Sequence, residues 1–328
     1  MSNGRMAIVA DLPENLAPSP HERGLATQDR ADLARRVVRA WELLHALAER
    51  ADLGADTRAG RSAKELLTGV GRWPDSRWVA EVVIEARERP SAAARTDQDA
   101  EEDRLRESHR RASGAAVLRS VERAGEEAER FLGTEEDEEY GLRPVATQLG
   151  PLPLRTFLHA TAYRVCVAGL DLQPALAEGG TEADDKVGEL VELGFVALVD
   201  VLGALAARGG LTTSLTGVTD VGSWTFASHR GAWQVVQAQP PGPAVVGPAQ
   251  VLLDITAGRA EDVGGLYRRG ELRLEDVPGL LRLAPLLDEV PGIPGSGSLR
   301  VMARSLDMAS RTLGLAGNAW GRLRRPFG

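Results

Sequence analysis

The chain has 328 residues, 43% hydrophobic and 26% charged, long enough for two domains with ordinary globular composition. Its net charge of -8 argues against nucleic-acid binding, which calls for a basic surplus. A single cysteine rules out an internal disulfide and fits a reducing cytoplasm. No secretory signal is visible, and the longest apolar stretch, Phe195 to Ala207, is interrupted by Asp200 and too short to cross a bilayer.

Residues 1–26 hold Pro13, Pro18 and Pro20 among scattered charges, which predicts a flexible arm or an extension wrapping the helices that follow. A first helix is expected from Thr27, as N-cap, to Ala51, with Leu33, Val37, Trp41, Leu44 and Ala48 at helical spacing. His45 on it has no second donor nearby and reads as a packed or surface histidine. A second helix starts near Ser62, passes Gly69, Gly71 and Trp73, and is split by Pro74 into two pieces ending near Arg89. A third runs from Asp103 to Leu132 with an apolar stripe. The five acids Glu135 to Glu139 diverge from one another and read as a solvated linker rather than a metal site.

The most informative stretch is Gly150 to Leu172, a Pro-punctuated turn leading into a helix buried on more than one side. Positions 164, 168 and 171 are spaced four and then three apart, so Arg164, Ala168 and Asp171 share a face. Cys166 points roughly opposite Arg164 and reads as a buried structural thiol. A fifth helix spans Val187 to Ala207. After Gly209-Gly210 the pattern changes to short strands at 211–221, 224–228 and 232–238, a Pro-rich loop at 240–243, and further segments at 249–259 and 264–274. Ser298 to Arg325 reads as a basic amphipathic helix. It either docks on the acidic remainder of the chain or makes peripheral contact with an anionic membrane surface. There is no Ser-His-Asp order, P-loop or dinucleotide fingerprint.

Around Gly169-Leu170-Asp171-Leu172 the chain resembles the actinobacterial mycothiol-dependent maleylpyruvate isomerase family, whose pattern there is roughly Arg-x-x-Glu-x-x-x-His-x-x-Asp-Leu. The stretch Gly60 to Gly71 resembles its earlier ligand helix, and the turn ending at Arg259 resembles its closing domain. The scarcity of lysine, with only Lys64 and Lys186, agrees with a high-GC genome. The resemblance implies an α+β fold: a DinB-like up-down four-helix bundle and a small sterol-carrier-like α/β domain. It divides the chain into an arm at 1–26, a bundle at 27–208, an α/β domain at 209–292 and a basic helix at 293–328. In the family a Glu and two His hold a divalent metal that activates the thiol of mycothiol. The matching positions here are Arg164, Ala168 and Gly69, none of which is a donor for a cation, so no metal is expected.

The residues left suggest chemistry based on fixed charge. Arg164 would hold a thiolate, Arg259 an anionic part of the substrate, Asp171 would orient the helix and Tyr163 would donate a proton. Gly69, Ala168, His159 and Trp73 would line the pocket. The competing expectation is that Arg164 pairs with Asp171 or Glu65 and fills space left by the metal. Two functions follow: a metal-independent enzyme using mycothiol as an S-transferase or isomerase on a small metabolite, or a non-catalytic binder of a small molecule or partner. Oligomeric state is not legible.

Overall fold

A computed structural model describes residues 12, 16–76, 78–88, 98–147, 149–176, 181–260, 262–280 and 283. The chain is α+β, as expected: a helical bundle followed by a five-stranded sheet with helices on its α9 side and edge.

After a short turn of helix, α1 (Leu25–Gln28), the long α2 (Arg30–Ala48) begins. Its cap is Asp29, whose side chain accepts from Asp32 N, whereas the expected cap Thr27 accepts instead from Arg23 N at 2.8 Å. α3 (Ala63–Val70) opens with a reciprocal capping box between Ser62 and Glu65. It ends where Gly71 lies against Ser120 so closely that a β-carbon would sit 2.0 Å from Oγ. α4 (Trp78–Glu88) resumes after Pro74, giving the two pieces that the proline implied. The third expected helix is also two: α5 (Gln98–His109) and α6 (Gly114–Phe131), because Ser113 caps a new start by accepting from Ala116 N.

The acid run is not a solvated linker. It forms α7 (Glu135–Tyr140), capped by Thr134, and turns Asp137 inward to full burial. Asp137 Oδ1 accepts from Arg155 Nε at 2.5 Å and Oδ2 from Gly133 N at 2.9 Å, while Arg155 also donates to the carbonyls of Asp137 and Ala26. The short ribbon β1 (Pro144–Val145) and β2 (Leu152–Pro153) then delivers the chain to α8 (Leu154–Leu172), which is followed by α9 (Thr181–Arg208).

α8 and α9 are antiparallel: Gly169 meets Leu190, Cys166 meets Gly194 and His159 meets Asp200, so one number falls as the other rises. A β-carbon on Gly194 would stand 2.3 Å from that of Cys166, so glycine permits the close approach. α2 packs on α6, α8 and α9, and those four helices form the bundle. Leu33, Leu43, Leu44 and Leu47 of α2 are fully buried, each worth on the order of 1.5–3 kcal/mol.

The far face of α9 carries the sheet. Its strands are β3 (Thr213–Thr219), β4 (Gly222–His229), β5 (Ala232–Val236), β6 (Ala244–Val246) and β7 (Arg273–Glu275), in the order β5-β4-β3-β6-β7. Only β3 and β6 run parallel. Arg230 (φ 49°) and Gly231 (φ 81°) turn the β4–β5 hairpin, the paired left-handed geometry that a two-residue turn needs. Gly203 lies under Trp233 and Gly217 over Phe195 on the sheet side, and Gly194 meets Cys166 of α8 on the other, so α9 is buried from both sides. That double burial explains its composition: although the stretch 195–207 alone is too short to span a bilayer, the whole of α9 is, among the described residues, the one helix long and apolar enough to do so, yet its apolar stretch is almost wholly interior.

α10 (Ala249–Thr256), α11 (Val263–Arg268) and α12 (Val277–Leu280) complete the second part. Two expectations differ here. The Pro-rich segment is followed directly by the short strand β6, and 264–274 divides into α11 and the start of β7. The arm expected at 1–26 is docked where it is described. Leu16 is buried, Gly24 N donates to Trp233 O at 2.8 Å, and Leu25 N reaches Asp200 Oδ1 at 3.3 Å. The expected basic helix at 298–325 lies outside the described residues.

Candidate functional site

A cleft of about 310 Å³ opens where α3, α5 and α8 meet the segment after α10. α8 supplies Tyr163, Arg164, Val167, Ala168 and Asp171 from one face, as the helical spacing required. α3 adds Leu66 and Val70, α5 adds Glu102, Asp103 and Arg106, the loop before α3 adds Ala59 and Arg61, and the turn after α10 adds Ala257 and Arg259.

Asp171 is almost fully buried and binds Arg259 through two parallel bonds, Nε to Oδ1 at 3.0 Å and Nη2 to Oδ2 at 2.7 Å. The hydrogen-bonded carboxylate raises the already high pKa of Arg259, so its charge is permanent. Arg58 crosses the same seam: its N–H donates to Asp171 O at 3.0 Å and its Nη2 to Asp254 Oδ2 at 2.7 Å. Tyr163 Oη donates to Thr256 Oγ1 at 3.1 Å, and burial pushes its phenol well above the ordinary range, which keeps it neutral. Three side-chain bridges therefore fix the turn after α10 against the bundle.

Arg164 pairs with Glu102 of α5, rather than with Asp171 or Glu65. Glu65 is engaged in the α3 cap, which holds its carboxyl below the usual range. Glu102 also accepts from Arg106 Nη2 at 2.5 Å, so one carboxylate holds two guanidiniums. Arg106 further pairs with Asp103.

The donor set does not fit a divalent metal. A β-carbon on Gly69 would lie 2.7 Å from Arg106 Nε, so the Arg106 guanidinium takes the space that a ligating side chain at position 69 would need. Ala168 offers no donor, Arg164 and Arg106 bring positive charge to the same place, and both oxygens of Asp171 and both of Glu102 already accept from arginine. Among the described residues no group of three or more His, Cys, Asp and Glu side chains converges.

The fold separates the expected site residues. Arg164, Asp171, Tyr163, Ala168 and Arg259 line one cleft, and Gly69 lies just behind Arg106. His159 does not join them. It is five residues before Arg164, about 140° round the helix axis, and sits fully buried with Nδ1 3.0 Å from Asp200 Oδ2. Trp73 is also elsewhere: it is buried, its Nε1 donates to Thr68 O at 2.8 Å, and its ring stacks on His109 at 3.9 Å. Cys166 is fully buried against Gly194 and burial pushes its thiol up, so it stays unreactive.

Sequence reasoning missed Glu102, Arg106 and Arg61. Glu102 and Arg106 form an (i, i+4) pair inside an acidic polar stretch, a pattern that normally marks a solvated face, and only the packing of α5 on α3 turns them inward. Arg61 precedes the Ser62 cap, and that adjacency to a fixed helix start was the available signal.

No family model matches the chain, and no curated protein matches it. Among solved structures, two crystal structures of the mycothiol-dependent maleylpyruvate isomerase, the first a histidine-to-alanine mutant, are similar over 76% of this chain and 92% of theirs. Their identities are 17% and 16%, with TM-scores of 0.45 and 0.44. The ubiquinone synthesis protein UbiJ-SCP2 is similar over 32% of this chain and 98% of its own, at 19% identity and a TM-score of 0.24.

Proposed function

We propose that the cleft binds a small anionic metabolite and works by fixed organic charge, as a metal-independent enzyme handling a low-molecular-weight thiol of the mycothiol type, in transfer or isomerisation. The observation that carries this reading is the convergence of four arginines on one cleft, with Arg164 at a position where the sequence resemblance places a metal ligand. A thiol brought against Arg164 ionises more readily, because a neighbouring cation favours the thiolate. Arg259, with Nε and Nη2 held by Asp171, keeps Nη1 for an anionic group of the partner substrate. In this reading Tyr163, neutral and at the cleft wall, releases Thr256 and gives its proton to a developing oxyanion. The setting is a reducing cytoplasm, in keeping with the lone buried cysteine.

The second reading, a non-catalytic small-molecule binder, is favoured by one specific feature: Glu102 already neutralises Arg164. Titration of the full chain with mycothiol, followed by assay of thiol addition to an electrophilic unsaturated acid, tests the proposal. Saturable thiol binding with turnover that Arg164→Met abolishes is the expected result. Thiol binding without turnover leaves only the binder, and no thiol binding overturns the enzyme reading.

A further inference from the structure

We infer that Arg61 is the receptor for the ligand's charged end, and that the ligand is a monoanion with an apolar body, a small monocarboxylate. This deepens the proposal above and rests on its premise that the cleft is a binding site. The cleft is lined by four guanidiniums, of Arg61, Arg106, Arg164 and Arg259, against three carboxylates, of Glu102, Asp103 and Asp171. The neutral phenol of Tyr163 adds nothing to that balance. Within the lining one positive charge is left over; the nearby Glu65 carboxylate, which also faces Arg61, is bound into the α3 cap by Ser62.

The hydrogen bonds say which one. Arg259 is held by Asp171, Arg164 by Glu102, and Arg106 by Glu102 and Asp103. The Arg61 guanidinium has no hydrogen bond or ion pair among the described residues. Its backbone, in contrast, is fixed: Arg61 O accepts from Thr57 N at 2.9 Å and from Thr57 Oγ1 at 2.7 Å, and the next residue caps α3. A rigid base under an unclaimed guanidinium is a preorganised anion receptor, because little order remains to be imposed on binding.

The rest of the lining sets the other half of the ligand. Leu66, Val70, Val167, Ala168 and Ala257 give the cleft an apolar wall, and about 310 Å³ lies at the small end of ligand pockets. An alkyl or aryl body fits that wall. A second negative charge would meet only arginines that already hold a carboxylate.

Calorimetric titration of the full chain with hexanoate, 1-hexanol and inorganic phosphate tests this. Hexanoate is expected to bind at one site, more tightly than either other probe. Arg61→Met is expected to weaken hexanoate by at least about tenfold, the loss of one charge-assisted contact, with hexanol unchanged and Arg61→Lys recovering part of the loss. Superimposable thermal melts check that the variants fold. Equal hexanoate affinity in wild type and Arg61→Met would overturn the role of Arg61 while leaving the cleft as a binding site. Phosphate binding as tightly as hexanoate would overturn the apolar-body assignment. Failure of all three probes on wild type would overturn this inference together with its premise.

Discussion

One helix, α8, carries two polar sites of opposite character on two of its faces. On one, His159 and Arg155 are sealed inside the protein: His159 meets Asp200, which also accepts from Trp233 Nε1 at 2.9 Å, and Arg155 meets Asp137. On the other, Arg164 and Asp171 face a cleft with room for a ligand and a spare positive charge. Both sites are built from ion pairs, so pairing alone does not mark function. The difference lies in closure. The sealed site joins the N-terminal segment, α8, α9 and β5 through one carboxylate, Asp200, and fixes how the layers stack. The cleft leaves one guanidinium unclaimed at a wall shared by the bundle and the second part of the chain.

Breaking the sealed side should cost the most stability and leave ligand binding alone. Arg155→Met strands the buried Asp137 carboxylate and is expected to lower unfolding free energy by about 3–5 kcal/mol in urea melts, with hexanoate affinity unchanged in the folded fraction. His159→Leu keeps volume but removes a donor to Asp200, and is expected to cost about 1–3 kcal/mol, again without effect on the cleft.

Variants on the open side sharpen the contrast in the other direction. Arg164→Met removes a partner from Glu102, which Arg106 still holds, so stability should change by about 1 kcal/mol or less while turnover with thiol is lost. Gly69→Ala sets two effects against each other: alanine favours the helix by about 1 kcal/mol, but its methyl would push Arg106 aside. Near-wild-type melting with altered anion affinity is the expected outcome, and a large loss of stability with unchanged affinity would count against Arg106 as part of the cleft.

The smallest effect concerns Asp75, which receives His109 Nε2 at 2.7 Å and Arg104 Nη1 at 2.9 Å and so anchors the start of the loop to α5. Burial pushes its carboxyl up, but the bonds from His109 and Arg104 outweigh that and hold it below the usual range. A depressed carboxyl stabilises the fold above its unfolded pKa, about pH 4, and that contribution fades as pH falls through the lower folded value. Urea midpoints of wild type and Asp75→Asn should therefore converge on acidification below about pH 4, whereas a gap that stays constant would assign the pair no role.

What the sequence made legible follows from which interactions are local. Helical period, the Pro74 break, the helix start near Ser62 and the shared face of 164, 168 and 171 are all written within a few residues, and the fold has them. The second half was legible as strands because short runs rich in Thr, Val and aromatic residues are separated by Gly. Partnering was not. Glu102 is 62 residues from Arg164, and Asp137 is 18 from Arg155, distances at which charge patterns read simply as solvated. His159 and Trp73, expected at the pocket, each belong to a different buried contact set by packing.

The central claim is that arginine charge, rather than a metal cation, defines the cleft. Calorimetric titration of chelator-treated full chain with zinc tests it most directly. The account predicts no saturable site in wild type, with hexanoate binding indifferent to zinc; stoichiometric, tight zinc uptake that Asp171→Asn or Glu102→Gln abolishes would contradict it.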